Sequence, residues 1–162
     1  MMAEERGLFL EEAVAAFDFG GRVLRVERFG RGHINDTFAV HVEGVARRFV
    51  LQRVNPHVFP NAQELMQNVI GITEYQHKMI RENGGDEWRE ALTVVRPKSS
   101  KDYFTAPDGA ARRGYLFIEA AVSYPVAETP AFFRVLAVAI GTFAITVRGY
   151  PATTLPESDP TF

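Results

Sequence analysis

The stretch that decides the fold is residues 22–55, RVLRVERFGRGHINDTFAVHVEGVARRFVLQRVN. Apolar and polar residues alternate over 22–29, 38–42 and 48–54, which is the period-two pattern of half-buried β-strands. A glycine-bearing segment separates the first two strands, and the turn 43–46 separates the last two. Because short connections of this kind join antiparallel neighbours, the stretch predicts a three-stranded meander.

The segments on either side of this meander predict an α+β fold. Helical periodicity indicates a first helix over 4–19 and a long helix over 61–82. Further strands are expected at 91–96 and 114–119, the latter paired with 103–105 around a turn that contains proline and glycine. The order predicts an antiparallel five-stranded sheet with one long helix, preceded by a helix and followed by a linker and a second helix.

The last predicted helix is almost entirely apolar. It begins at Thr129 and Pro130, where threonine caps a helix and proline fits the first turn. Its longest uncharged run, residues 135–147, is shorter than the roughly 18 residues that a membrane span requires. We therefore expect a helix that needs protein partners on several sides, and no membrane partner.

The composition is that of a soluble globular chain, with 162 residues, 46% hydrophobic residues and a formal net charge of −2. The absence of cysteine excludes disulfides, thiolate metal sites and thiol nucleophiles. Near-neutral charge argues against a nucleic-acid partner, and four scattered histidines argue against a metal site. The first residues lack the apolar core of a signal peptide, so a cytoplasmic location is expected.

Residues 30–37, GRGHINDT, connect the first two strands. Glycines allow backbone N–H groups to approach phosphate oxygens, and short polar side chains add hydrogen-bond donors. A dinucleotide-binding fingerprint does not fit, because a strand pattern rather than a helix follows the glycines. The segment is either a phosphate-binding loop or a hairpin loop without a ligand.

Four motifs occur in the order GHINDT at 32–37, FVLQRVN at 49–55, LMxN at 65–68 and FIExxVSY at 117–124. With them, residues 17–162 resemble the aminoglycoside-phosphotransferase-like small-molecule kinases, nearest to the N-acetylhexosamine 1-kinase branch. The resemblance implies a protein-kinase-like N-terminal lobe at residues 1–119, with ATP held between two lobes. It also implies ATP-dependent phosphorylation of a sugar hydroxyl, the C1 hydroxyl of an N-acetylhexosamine.

The resemblance assigns nucleotide-binding roles residue by residue. The residues that would line the phosphate loop are Gly30, Gly32, His33, Asn35 and Thr37. The hinge, whose backbone C=O and N–H groups would bond the adenine edge, would be Glu119, Ala120 and Ala121. The alternative for this second segment is that it simply ends a core strand.

The third strand departs from the pattern of such kinases, which place a lysine there to hold the α- and β-phosphates, paired with a glutamate on the long helix. No lysine precedes Lys78, and strand alternation lets only one of Gln52 and Arg53 face the cleft. Charge favours Arg53, with Glu64 or Glu74 as its carboxylate partner, whereas strand register favours Gln52. An exposed Arg53 at a strand edge is the alternative.

The sequence contains no His-x-Asp element, through which the family supplies its catalytic aspartate. That aspartate and the ligands of Mg²⁺ would lie in a helical second lobe, of which residues 120–162 would supply the hinge, linker and first helix. We expect the N-terminal portion of a kinase, inactive alone, with an apolar patch at 130–148 that self-associates. The alternative is a non-catalytic interaction module, or a degenerate copy with the shape of the lobe.

Two further polar segments are expected to be solvated. Arg112 and Arg113 flank the predicted turn and are expected at an exposed edge. Residues 86–90 are expected to form a loop around Trp88. Neither segment has a predicted role in binding.

Overall fold

The computed structural model describes residues 2–30, 32, 34–122, 126, 129–151, 153 and 155–156, with the backbone alone for residues 2–8. The described chain is α+β, with an antiparallel six-stranded sheet and several helices. The strands are β1 (Val23–Arg28), β2 (Asp36–Val42), β3 (Phe49–Arg53), β4 (Val94–Val95), β5 (Phe104–Thr105) and β6 (Ala111–Leu116). The helices are α1 (Met2–Ala16), α2 (Ala62–Glu82), α3 (Glu87–Glu90) and α4 (Pro130–Val147).

The strands lie in the order β1-β2-β3-β6-β4, and β5 pairs with the start of β6. Every strand pairing in the described part is antiparallel, which confirms the predicted meander and the antiparallel sheet. The sheet has six strands rather than the predicted five, and the predicted pairing of residues 103–105 with the strand after the turn is confirmed by β5 and β6. The turn between β5 and β6 needs Gly109, because its φ of +76° is one that glycine adopts at little cost.

The position of β6 also differs from the prediction. The strand begins at Ala111 rather than at residue 114, because the turn closes early: Gly109 N–H donates to the Ala106 carbonyl at 2.8 Å. Arg112 and Arg113 therefore lie inside the sheet, and the exposed edge predicted for them is wrong. Arg112 is only 5% exposed, and Arg113 is half-buried.

Side-chain alternation gives the sheet two faces, which we name after neighbouring residues of β3. The Arg53 face carries Asp36, Phe38, Val40, Leu51, Arg53 and Arg112, and the Gln52 face carries Thr37, Ala39, Val50, Gln52, Arg113 and Tyr115. The main core lies on the Arg53 face, where Phe17, at the end of α1, packs with Val40 and Leu51. Burial of each such side chain contributes about 2 kcal/mol.

The long helix α2 matches its predicted bounds closely. Its cap is Asn61, whose Oδ1 accepts the Glu64 N–H at 3.2 Å, and the chain leaves the helix through Gly84 at a φ of +74°. The buried face of α2 comprises Met66, Ile70, Thr73, Gln76 and Ile80.

Residues 86–90 do not form the predicted loop. Asp86 Oδ1 accepts the Trp88 N–H at 3.0 Å, and this cap starts the one-turn helix α3. The Trp88 ring lies edge-on to the His77 ring of α2, with 6.0 Å between the centroids. The side chain of Glu87 bonds the Nδ1 atom of His77 at 2.8 Å, so α3 is attached to α2.

The helix α4 begins as predicted, with Thr129 Oγ1 accepting the Phe132 N–H at 3.3 Å and Pro130 in the first turn. It contacts α2, and Tyr150 after its end lies edge-on to Tyr75 at 5.4 Å. No residue of α4 is buried within the described part of the chain, so its apolar surface is exposed as predicted, and the self-association of this surface stays a prediction. Its length and mean hydropathy of 1.8 would also suffice for a membrane span.

Candidate functional site

The candidate site lies where β1, β2, β3 and β6 meet beside the glycine-bearing loop. Gly30 leaves β1 at a φ of +77°, and Gly32 is exposed. Asn35 closes the loop, because its Oδ1 accepts the Asn55 N–H at 2.8 Å. His33, the remaining predicted residue within the loop, lies outside the described residues.

Three side chains form a hydrogen-bonded row on the Gln52 face. Gln52 Nε2 donates to Thr37 Oγ1 at 2.9 Å, and Gln52 Oε1 accepts from Arg113 Nε at 2.9 Å and Nη2 at 2.6 Å. The row follows from strand register, since Thr37 pairs with Gln52 across β2 and β3, and Gln52 pairs with Arg113 across β3 and β6. Thr37 and Gln52, which were predicted separately, are thus brought together.

Arg113 is the residue of this row that the sequence interpretation missed. Within the described residues no carboxylate lies within ion-pair distance of its guanidinium, which bonds a neutral amide and lies 5.4 Å from the Tyr115 ring centroid. Burial raises the pKa of the Tyr115 hydroxyl, so this ring stays neutral beside the cation. A β6 that begins at residue 111 places Arg113 opposite Gln52, and this pairing is the signal that could have identified Arg113.

Arg53 points to the other face of the sheet. Arg53 Nε donates to Asp108 Oδ2 at 3.0 Å, and Arg53 Nη1 lies 3.8 Å from Asp36 Oδ2. The predicted pairing with Glu64 or Glu74 is therefore not formed. Glu64 lies at the start of α2, and Glu74 pairs with Arg96 at 3.1 Å. Alternation separates Gln52 from Arg53, as predicted, and places Gln52 on the face that carries Thr37.

The segment predicted as the hinge is held by two arginines. The Glu119 carboxylate accepts from the backbone N–H of Arg48 at 3.0 Å, from its Nε at 3.0 Å and from its Nη2 at 2.7 Å. Hydrogen bonds from the Arg48 side chain lower the pKa of Glu119 to about 2. Arg89 Nη1 donates to the Glu119 carbonyl at 2.9 Å, so this carbonyl already has a donor. Ala120 and Ala121 are exposed, and Ala120 has a φ of +56°.

An aromatic contact links the beginning of the loop with this segment. The rings of Phe29 and Phe117 meet edge-on with 5.0 Å between their centroids, and the Arg48 guanidinium lies 3.9 Å from the Phe117 centroid. Phe29 follows β1 and Phe117 follows β6, which are separated in the sheet by β2 and β3. The contact therefore reaches across the sheet and brings the two predicted halves of the site to one region.

No model of a known protein family matches the sequence. Within the described residues no group of three or more histidine, cysteine, aspartate or glutamate side chains is placed to hold a metal ion. The side-chain donors on the Gln52 face are a guanidinium, a carboxamide and a hydroxyl, and such groups bind phosphate oxygens.

Proposed function

We propose that the chain is the ATP-binding lobe of a small-molecule kinase, as its resemblance to the aminoglycoside-phosphotransferase-like kinases implies. The observation that carries the proposal is the row Thr37–Gln52–Arg113 beside a glycine loop. It supplies a cation that no carboxylate compensates in the described part of the chain, where the expected lysine is missing. The order of elements, strand, loop, two strands, long helix and further strands, supports the same function.

In this proposal the phosphates of ATP lie on the Gln52 face. Backbone N–H groups of Gly30 and Gly32 and the Thr37 hydroxyl bond phosphate oxygens, and Arg113 supplies the charge that a kinase lysine would supply. Gln52 is neutral, and its role is to position the guanidinium of Arg113.

The adenine lies against the segment of residues 119–121. Its edge bonds backbone groups of Glu119 and Ala121, and its amino group competes with Arg89 for the Glu119 carbonyl. The Phe117 ring, which carries the Arg48 guanidinium on one side, provides an apolar surface next to the base.

The proposed reaction of the whole enzyme is transfer of the γ-phosphoryl group of MgATP to the C1 hydroxyl of an N-acetylhexosamine. The base that accepts the hydroxyl proton is an aspartate in such kinases, and this sequence has no His-x-Asp element to supply it. The activity proposed for this chain is therefore nucleotide binding without phosphoryl transfer.

Calorimetric titration with MgATP tests the proposal. We expect saturable binding that the Arg113→Met variant weakens about tenfold, because a charge-assisted hydrogen bond contributes about 1.5 kcal/mol or more. Arg22→Gln is the matched control, because Arg22 is an exposed arginine paired with Glu43 at the far end of β1. Absence of binding at millimolar MgATP, or equal affinity of Arg113→Met and the parent chain, would contradict the proposal.

A second candidate function is that of a non-catalytic interaction module, and the exposed apolar surface of α4 favours it. Its large apolar side chains that are about half or more exposed are Phe133, Val135, Leu136, Val138, Ile140, Phe143 and Ile145. Sedimentation at increasing concentration distinguishes the two: a module that self-associates through 130–148 forms dimers or larger species without binding MgATP.

A further inference from the structure

A cluster of five charged side chains lies on the Arg53 face, at the end of the sheet beside the glycine loop. Arg28 Nη2 donates to Asp36 Oδ1 at 2.8 Å, and Arg53 lies between Asp36 and Asp108. Arg112 Nη2 donates to Asp108 Oδ2 at 2.9 Å. We call these five residues the arginine cluster.

A cavity of about 240 Å³ opens beside the arginine cluster. It is lined by Leu10, Arg28, Asp36, Phe38, Arg53 and Arg112, so apolar side chains from α1 and β2 face the guanidinium groups. This volume lies just below the range of about 300–1,000 Å³ that is typical of drug-sized ligands, and it suits a smaller molecule. A lining of this kind combines a charged wall with an apolar wall.

The charges of the arginine cluster do not balance. Three guanidinium groups meet two carboxylates, and both carboxylates already accept hydrogen bonds from the cluster. Burial would raise the pKa of Asp108, but hydrogen bonds from Arg112 and Arg53 outweigh burial and lower it, so Asp108 is charged at neutral pH. One positive charge therefore remains without a partner in the cluster.

The guanidinium groups also have hydrogen-bonding capacity left. Each carries five N–H groups. Among the described residues, Arg28 and Arg53 each donate one hydrogen bond, and Arg112 donates two, to Asp108 and to the Ala110 carbonyl at 3.0 Å. Arg112 is 5% exposed and lines the cavity. A ligand oxyanion would satisfy both the spare donors and the excess charge.

We infer that the arginine cluster and its cavity form a binding site for a compact organic anion, in which an oxyanion head meets Arg28, Arg53 and Arg112 and a small apolar body lies against Leu10 and Phe38. The head is a carboxylate or a phosphate ester, since each offers two oxygens that a guanidinium binds through two parallel N–H groups. The site lies on the opposite face of the sheet from Gln52 and Arg113, so it does not depend on the proposed nucleotide site.

The test uses benzoate, phenyl phosphate and inorganic phosphate as probes, followed by NMR of backbone amides and arginine Nε–H groups. We expect saturable shifts at Arg28, Arg53 and Phe38 with at least one aromatic anion, and weaker binding of inorganic phosphate. Comparison of the two aromatic anions shows whether the head is a carboxylate or a phosphate. No saturable shift at these residues with any probe at millimolar concentration overturns the inference.

Arg28→Gln is the decisive variant, because the Arg28 side chain is 60% exposed and its replacement leaves the core intact. It should weaken binding of the aromatic anion about tenfold. Arg22→Gln, at a side chain that is 71% exposed and also paired with one carboxylate, should leave the affinity unchanged. Equal losses in the two variants would show a general charge effect and overturn the site, as would an unchanged affinity in Arg28→Gln.

Discussion

Two rows of side chains cross the same three strands one residue apart, and they use arginine differently. On the Gln52 face, Arg113 bonds a neutral carboxamide and faces no carboxylate among the described residues. On the Arg53 face, Arg53 and Arg112 bond the carboxylate of Asp108. The difference teaches that the partner of a cation decides what the cation can do. A neutral partner leaves the whole charge of Arg113 available to a ligand, whereas the two carboxylates of the arginine cluster offset two of its three positive charges and leave one.

The largest effect that tests this comparison is on stability. Arg112→Met should lower the free energy of unfolding by about 2 kcal/mol, because the largely buried Asp108 carboxylate loses its ion pair with Arg112. Arg113→Met should lower it by about 1 kcal/mol or less, because only a neutral hydrogen bond to Gln52 is lost. Urea unfolding followed by circular dichroism measures both, and equal losses would contradict the distinction between the rows.

The next effect concerns acid sensitivity at the opposite end of β6. Because the pKa of Glu119 is lowered to about 2, its contribution to stability is complete above about pH 4.5 and is lost as the pH falls toward 2. The Glu119 side chain is 35% exposed, so screening by solvent reduces this contribution to about 1 kcal/mol.

Urea unfolding at pH values between 5 and 2 measures the contribution of Glu119 to stability. Glu119→Gln should remove this part of the pH dependence, and Glu12→Gln, at an exposed residue of α1, should leave it in place. If the free energy of unfolding depended on pH in the same way in the Glu119→Gln variant and in the parent chain, Arg48 would not hold this carboxylate in solution.

The smallest expected effect is on the affinity for MgATP, and it concerns an arginine that bonds a backbone carbonyl. Arg89→Ala should raise the affinity for MgATP about threefold, because Arg89 no longer competes with the adenine for the Glu119 carbonyl, a competition worth about 0.7 kcal/mol. Stability should change by less than about 0.5 kcal/mol, since Arg89 is exposed. Calorimetry measures the affinity, with Lys101→Ala as a control at another exposed cation. A loss of affinity in Arg89→Ala would mean that Arg89 binds the nucleotide itself.

Much of the sheet could be predicted from the sequence, because period-two alternation marks β1, β2 and β3 and fixes which residues share a face. That rule correctly separated Gln52 from Arg53. The long helix α2 was equally accessible, since its cap at Asn61 and its end at Gly84 are local signals.

The candidate site was harder to predict, because its residues are brought together by pairing between strands that are distant in sequence. Arg113 meets Gln52 only when β6 begins at Ala111, and the length of a tight turn moves that starting point by several residues. The attachment of Glu119 by Arg48 and Arg89 likewise joins residues far apart in sequence. No local pattern marks such long-range pairs.

The placement of α3 has an optical consequence. Trp88 is the single tryptophan of the chain, and it lies next to Arg89, beside the His77 ring and 6.0 Å from the Arg47 guanidinium. Indole emission responds to water and to nearby charged groups, so the intrinsic fluorescence of the whole protein reports on this one helix. A ligand that draws residues 119–121 away from Arg89 would change that emission, so the tryptophan offers a label-free signal for binding at this segment.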